Sequence, residues 1–199
     1  AQGTILTEPD NIADDPVAAA FWKRDVPTGT STRVKLRVDG VANSRGFIKR
    51  DWLVDDPACC EMLIIRQPAG TNFPLESREA ERLRNLWIKT GVDWSRAESL
   101  AALQTYLALY GKQISRKPDS PVADLAMLIG RAVTGAYNKI MNFRAIDPRD
   151  LRAGMDGASN VDRSVWAEYF DERAQTIDQK AVSDEFQRLW PQYWLEPSR

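Results

Sequence analysis

The stretch that decides the fold is LAMLIGRAVTGAYNKIMNFRAIDP, residues 125–148. It begins with an apolar run that ends at Gly130 and continues with a second run rich in Tyr, Asn, Lys and Arg. In the second run Val133, Tyr137 and Ile140 recur at helical spacing, as the apolar residues of the first run do. The stretch therefore predicts two helices joined by a turn at Gly130.

A third helix is predicted ahead of this pair. Ser95 and Glu98 form a capping box, in which the two side chains satisfy free amides at a helix N-terminus. Ser120 followed by Pro121 is a second helix start, because Pro fits the first helical position. The predicted helices are Ser95–Tyr110, Pro121–Ile129 and Ala132–Phe143.

Three helices of these lengths, with a tight connection between the second and third, are typical of a helix-turn-helix unit. A short third helix can enter the major groove of DNA, where the amides of Asn138 and Asn142 would hydrogen-bond base edges. Arg131, Lys139 and Arg144 would then contact phosphates. The alternative is an ordinary helical hairpin with a solvated polar face.

The loop KQISRK, residues 112–117, carries three positive charges in six residues. Beside a groove-binding helix it would contact the DNA backbone, although a solvated loop is the simpler interpretation. The predicted DNA contacts are Arg131, Thr134, Asn138, Lys139, Asn142 and Arg144, assisted by Arg116 and Lys117.

Charge is unevenly distributed along the chain. The net charge is −1, but residues 94–144 contain 7 basic and 3 acidic residues, a local excess of +4. An excess of this kind favours a surface that faces phosphates. A second basic feature is FIKRDW, where Phe47 and Trp52 lie close to Lys49 and Arg50. Basic and aromatic side chains together are compatible with nucleic-acid contact, or with the wet face of a sheet.

The chain of 199 residues contains no histidine. This excludes Ser-His-Asp and Cys-His catalysis, histidine-based metal nucleases and the usual Cys/His zinc sites within this sequence. The acid-x-Lys pattern at Asp178-Gln179-Lys180 lies on a predicted helix, whereas carboxylate-dependent nuclease centres lie on adjacent strands. We therefore predict a chain without catalytic residues, metal or cofactor, and a carboxylate-only nuclease is the least favoured alternative.

The composition predicts a soluble protein. Hydrophobic residues make up 43% and charged residues 28%, and no apolar run approaches the roughly 18 residues that a membrane span needs. The first residues are acidic and lack the basic-then-apolar pattern of a secretion signal. The only cysteines, Cys59 and Cys60, are adjacent, which fits a reducing compartment. We therefore expect a cytoplasmic protein without membrane contact.

The fold class predicted is α+β, a small antiparallel sheet followed by a mainly helical region. In TRVKLRV, residues 32–38, apolar and basic residues alternate as in a half-buried strand. SRGFIKRDWLV and CEMLIIRQ are predicted as two further strands of a sheet that spans residues 31–67. The predicted regions are an N-terminal arm with one short helix (1–30), a sheet plus helix (31–92) and a helical DNA-binding-like domain (93–199).

Three stretches also resemble a known family: WSRAESLAALQTYLALYG, SPVADLAMLIGRAVTGAYNKIMNFRAIDP and GMDGASNVDRSVWAEYFD. Together they are similar to the non-catalytic N-terminal half of prokaryotic restriction endonucleases of the HNH type. The resemblance covers about Trp94 to Asp171, under half of the chain. The matching residues at fixed spacing are Tyr137, Lys139, Asn142, Phe143, Asp147, Pro148, Val165, Trp166, Glu168 and Tyr169.

The resemblance implies a DNA-targeting module of a restriction or defence system. The nuclease domain of that family is built around histidines, which this chain lacks, so cutting would belong to a separate nuclease subunit or domain. Some relatives restrict modified DNA, so the implied partner is double-stranded DNA, plain or modified. The alternative is a protein-interaction or scaffold subunit, for which Trp190, Tyr193 and Trp194 would form a docking surface.

Overall fold

A computed structural model of the chain describes residues 2–13, 30–41, 46–67 and 73–191. The chain divides into two compact units, Ala1–Gly46 and Phe47–Arg199. This single division differs from the predicted boundaries after residues 30 and 92. The short helix predicted at residues 16–24, and Tyr193 and Trp194 of the predicted docking surface, lie outside the described residues.

The first unit contains two antiparallel pairs of strands, in which β1 pairs with β4 and β2 with β3. Their bounds are β1 Gln2–Ile5, β2 Asp10–Ala13, β3 Thr30–Arg33 and β4 Leu36–Gly40. Between the pairs the amide of Leu6 donates to the carbonyl of Lys35 at 2.8 Å, so residues 2–13 run along residues 30–40 as one interrupted ribbon. The partner of the predicted strand therefore comes from the segment predicted as an arm.

The start of the second unit is helical, which corrects the prediction of two strands there. SRGFIKRDWLV contains α1 (Arg50–Val54), and CEMLIIRQ contains a turn followed by α2 (Leu63–Arg66). A short apolar run has no periodicity that separates a buried strand from a buried helix, so packing decides between them. Here the buried side chains pack with one residue of the following helix: Leu53, Ala58, Cys59, Met62 and Leu86.

The remaining elements make the second unit mainly helical, and the chain has the predicted α+β class. The helices are α3 (Ser77–Lys89), α4 (Arg96–Ala108), α5 (Pro121–Ile129), α6 (Val133–Ile146), α7 (Asn160–Tyr169) and α8 (Gln179–Leu189). The bounds of α5 are those predicted, and those of α4 and α6 differ by up to three residues. A two-residue hairpin not predicted from the sequence, β5 (Phe170–Asp171) with β6 (Thr176–Ile177), separates α7 from α8.

Helix α4 lies at the centre of the second unit. The four consecutive residues from Leu100 to Leu103 are fully buried, so the helix has apolar contacts on every side. Helices α5, α6, α7 and α8 all pack against it. A helix that is apolar all round belongs in a core. This core also buries much of α6, including Val133, Ile140 and Phe143.

The turn between α5 and α6 positions the start of α6. Gly130 has φ 72°, a left-handed conformation that glycine adopts without strain, and its N–H donates to the end of α5. Asn85 and Lys89 of α3 lie beside this glycine, each 3.8 Å from where a Cβ would be. The turn therefore holds the first turns of α6 against the C-terminal end of α3.

Candidate functional site

Arg131, a predicted phosphate contact, is buried at 7% exposure. Its guanidinium donates to the carbonyls of Val92 and Asp93 at 2.8 and 2.7 Å and forms an ion pair with Glu98 at 2.9 Å. Burial raises the pKa of Glu98, but hydrogen bonds from Arg131 and Lys89 outweigh it and hold that pKa at about 2. The Glu98 carboxylate therefore stays charged and holds Arg131 in place.

Lys139, another predicted contact, is also buried. Its ammonium group lies 2.8 and 2.9 Å from the two carboxylate oxygens of Asp162, which is itself fully buried. Asp162 also accepts hydrogen bonds from the hydroxyls of Ser99 and Ser159. Lys139 therefore joins α6 to the N-terminal capping box of α7 and does not extend toward solvent.

Asn142 and Arg144 have structural positions as well. Asn142 is 7% exposed. The loop that follows α6 passes directly over its side chain at Gly157, where a Cβ would lie only 3.2 Å from the side-chain oxygen of Asn142. The Arg144 side chain is 15% exposed and lies 3.8 Å from the Asp150 carboxylate. Four of the six contacts predicted within residues 131–144 therefore have partners inside the fold in this conformation: Arg131, Lys139 and Asn142 are buried, and Arg144 lies against Asp150.

The residues that carry the family resemblance are mostly internal. Asp147 accepts a hydrogen bond from the Tyr106 hydroxyl at 2.9 Å and forms an ion pair with Arg149 at 2.7 Å. Phe143 is fully buried, and Trp166 stacks on Phe170 with ring centroids 4.9 Å apart. The spaced motif therefore describes how α4, α6 and α7 are fastened together.

Thr134 and Asn138, the other two candidates on α6, line a groove with a volume of about 350 Å³. The groove lies where the first turns of α6 meet the start of α1, the end of α3 and the segment that leads into α4. We call it the basic–aromatic groove and define it by Lys49, Trp52, Lys89, Trp94, Thr134 and Asn138.

The groove is electropositive. Lys49 is exposed, with its ammonium group 5.9 Å from the Trp52 ring. Lys89 and Arg131 also line the groove and share the one charge of Glu98. Among the described residues, no acidic side chain lines it. The groove is thus suited to an anionic ligand with a flat apolar part.

Trp94 is fixed in the groove wall by two cations. The guanidinium carbon of Arg131 lies 4.5 Å from its ring centroid, and the ammonium of Lys139 lies 4.7 Å from it. Cations over an indole face interact favourably with the ring electrons. Helix α6 packs beside the ring at Gly135, where a Cβ would make ordinary contact with the indole at 3.8 Å.

The two predicted loop contacts, Arg116 and Lys117, remain at the surface. The Arg116 side chain is 50% exposed and lies 3.7 Å from the carboxylate of Asp55, directly after α1. Its guanidinium also lies over the Tyr137 ring at 5.6 Å. The basic loop is therefore attached to α1 and α6, the elements that carry Trp52, Thr134 and Asn138.

Lys89 and Trp94 were missed as candidates, and Lys49 and Trp52 were noted only as a basic and aromatic strand. The pattern FIKRDW was the available signal. Lys49 and Trp52 reach the groove because a helix begins at Arg50, whereas the sequence predicted a strand there. No pattern in the residues around Lys89 or Trp94 indicates a binding site, because both residues line the groove only once α6 packs beside them.

In the ranges from 2–13 to 73–191, no cluster of three or more His, Cys, Asp or Glu side chains is arranged to hold a metal ion. No helix in the same ranges has the length and apolarity to cross a bilayer.

The fold defines an α+β protein whose helical unit carries a basic–aromatic groove. Comparison with known proteins gave no match to any family model, curated protein or solved structure. The likeness to restriction endonucleases therefore rests on the sequence motif alone, and the groove is the basis for a functional proposal.

Proposed function

We propose that this chain is a DNA-recognition module of a restriction or related defence system. It binds double-stranded DNA, plain or modified, and works in the cytoplasm with a separate nuclease domain or subunit. The resemblance over residues 94–171 supports the defence role. The observation that carries DNA binding is the basic–aromatic groove, which combines lysines and tryptophans with the amide of Asn138.

Each part of this surface has a role in the proposal. Lys49, Arg116 and Lys117 are exposed and contact the phosphate backbone, which supplies affinity. Asn138 and Thr134 contact base edges, which supply specificity. The buried Arg131 and Lys139 act indirectly by fixing the groove wall. This assignment keeps half of the contacts predicted from the sequence, gives Arg131 and Lys139 a supporting role, and assigns no DNA contact to Asn142 and Arg144.

The proposal is tested by gel shift with a plain and a base-modified duplex over a series of salt concentrations. Binding should weaken as salt rises, since each phosphate contact releases counterions. The double change Arg116→Ala/Lys117→Ala removes two cations and should make the salt dependence shallower by about two in slope. It should leave the fold intact, because both side chains are exposed.

A matched control removes the same charge elsewhere. Arg173 and Lys180 are exposed in the β5–β6 turn and in α8, and neither lines the groove. Arg173→Ala/Lys180→Ala should bind like the unchanged chain. The proposal is abandoned if neither duplex is retarded at low salt, or if both double variants lose binding equally.

A protein-interaction subunit is the second candidate. The first unit exposes several apolar side chains along its ribbon, and apolar side chains in water favour association. These are Ile5, Leu6, Val34, Leu36, Val38 and Val41. Light scattering tests this candidate without DNA: a concentration-dependent increase in mass that Leu36→Lys abolishes would support it, and a constant monomer mass would contradict it.

A further inference from the structure

The shape of the basic–aromatic groove limits what it can hold. At about 350 Å³ it lies near the lower end of small-molecule sites, which span about 300–1,000 Å³. A duplex is read by convex elements such as a helix inserted into the major groove. A concave site of this size instead needs a group that protrudes from the duplex. A single base protrudes when it leaves the stack of base pairs.

The walls offer the contacts that one nucleotide requires. Trp52 is partly exposed, and among the described residues the one cation over its ring is the exposed Lys49, whose ammonium group lies 5.9 Å from the ring centroid. A base could take that place, since every base has a face that stacks on an aromatic ring. Lys49 and Lys89 could then meet the phosphate on the rim.

The floor offers polar groups that are not otherwise engaged. Thr134 and Asn138 line the groove, and within the described residues neither side chain makes a hydrogen bond. An amide can donate and accept at once, which matches the edge of a base. These two side chains can therefore identify a base by its edge.

The part of the groove wall formed by Trp94 is held in place by buried charges. Arg131, Lys139, Glu98 and Asp162 are buried charges, and buried ion pairs seldom stabilise a fold more than apolar side chains of the same size. Here the two carboxylates hold Arg131 and Lys139 at 4.5 and 4.7 Å from the ring centroid of Trp94. Because the Trp94 ring is already held in position, the groove needs little ordering when a ligand binds, and less conformational entropy is lost.

We propose that the basic–aromatic groove binds a single unstacked nucleotide of a DNA duplex. The base stacks on Trp52 and is contacted at its edge by Asn138 and Thr134, while Lys49 and Lys89 bind its phosphate. This inference rests on the proposed DNA-binding function and names the part of the DNA that the groove takes. A free nucleotide has the same chemistry, so the test separates the two sources.

The test compares three labelled probes by fluorescence anisotropy at one salt concentration: a paired duplex, the same duplex with one unpaired base, and a deoxynucleoside monophosphate alone. The duplex with the unpaired base should bind at least about tenfold more tightly than the paired duplex, the size of one base–aromatic stacking contact. The monophosphate alone should bind far more weakly than either duplex, because it lacks the backbone contacts.

Variants assign the preference to the groove. Trp52→Ala should abolish the preference for the unpaired base, so that the two duplexes bind with equal affinity, whereas Trp52→Phe keeps an aromatic face and should retain the preference. If Trp52→Ala does not fold, as judged by circular dichroism, Asn138→Ala should reduce the preference severalfold, since its side chain is partly exposed.

The outcomes separate this inference from the proposed function. Equal binding of the two duplexes overturns the unstacked-nucleotide inference and leaves DNA binding in place. So does a preference that survives both Trp52→Ala and Asn138→Ala. Binding of the monophosphate as tight as that of the unpaired duplex overturns it in favour of a free nucleotide. No binding to either duplex overturns the inference and the proposed function together.

Discussion

Two buried ion pairs connect single residues to the groove. Glu98 pairs with Arg131 and Asp162 pairs with Lys139, and the two cations lie over the ring of Trp94. Arg131 and Lys139, which the sequence predicted as phosphate contacts, are therefore paired with carboxylates from other helices. In the proposed function, their contribution is to position Trp94.

Replacing Lys139 tests this role. Lys139→Ala leaves the fully buried Asp162 without its cation, and breaking a buried pair costs about 3–5 kcal/mol. The urea midpoint should fall accordingly, while Arg173→Ala at an exposed turn should leave it unchanged. A Lys139→Ala variant with the original midpoint but lost DNA binding would instead make Lys139 a direct contact.

At the level of elements, local signals fixed where α4 and α5 begin and where α5 ends. The Ser95–Glu98 capping box starts α4 as predicted, and Ser120 with Pro121 starts α5. Such signals act within one turn, so they can be read from the sequence. The turn at Gly130 belongs with them, since its conformation depends on the glycine itself.

The Gly130 turn gives a prediction with a matched control. Gly130→Ala puts a Cβ on a left-handed residue and should destabilise the chain by about 1–2 kcal/mol, although the space around it is adequate. Gly135→Ala lies inside α6, where alanine is the better helix former, and should be neutral or stabilising by up to about 1 kcal/mol. Urea unfolding checks both, and a reversed order of the two midpoints would contradict this account of the turn.

At the scale of the whole molecule, the two units differ in what stabilises them. Both buried apolar clusters consist of residues from Leu53 onward, so the second unit contains its own core. In the first unit most of the described apolar side chains of the strands are exposed, as Leu36 is at 56% and Val38 at 55%. Burial in the described residues is therefore concentrated in the helical unit.

The fragment of residues 47–199 should accordingly fold without residues 1–46. We expect a helical circular dichroism spectrum and one cooperative thermal transition, because the clusters around α4 and Leu86 are complete in this fragment. The full chain provides the reference. A fragment that melts without cooperativity and binds a hydrophobic dye would show that its core needs the first unit.

The limits of sequence-based prediction follow from the same distinction between local and distant interactions. The pairing of residues 2–13 with residues 30–40 was missed because the partner strands are separated in the sequence and register depends on their meeting. The helices of residues 47–67 were missed because their apolar runs are too short to show a period. Thr134 and Asn138 were correctly placed on α6, but their role with Trp52 and Lys89 depends on packing between helices.

The sequence by itself determined the α+β class, the three helices α4, α5 and α6, the turn at Gly130 and the absence of histidine chemistry. These follow from propensity, capping and composition, which are properties of neighbouring residues. Only the tertiary structure decided which cations of residues 131–144 face carboxylates and which side chains line the groove. The reason is physical: a charge is buried or exposed according to the partner that folding brings to it, and here those partners lie 23 and 33 residues away.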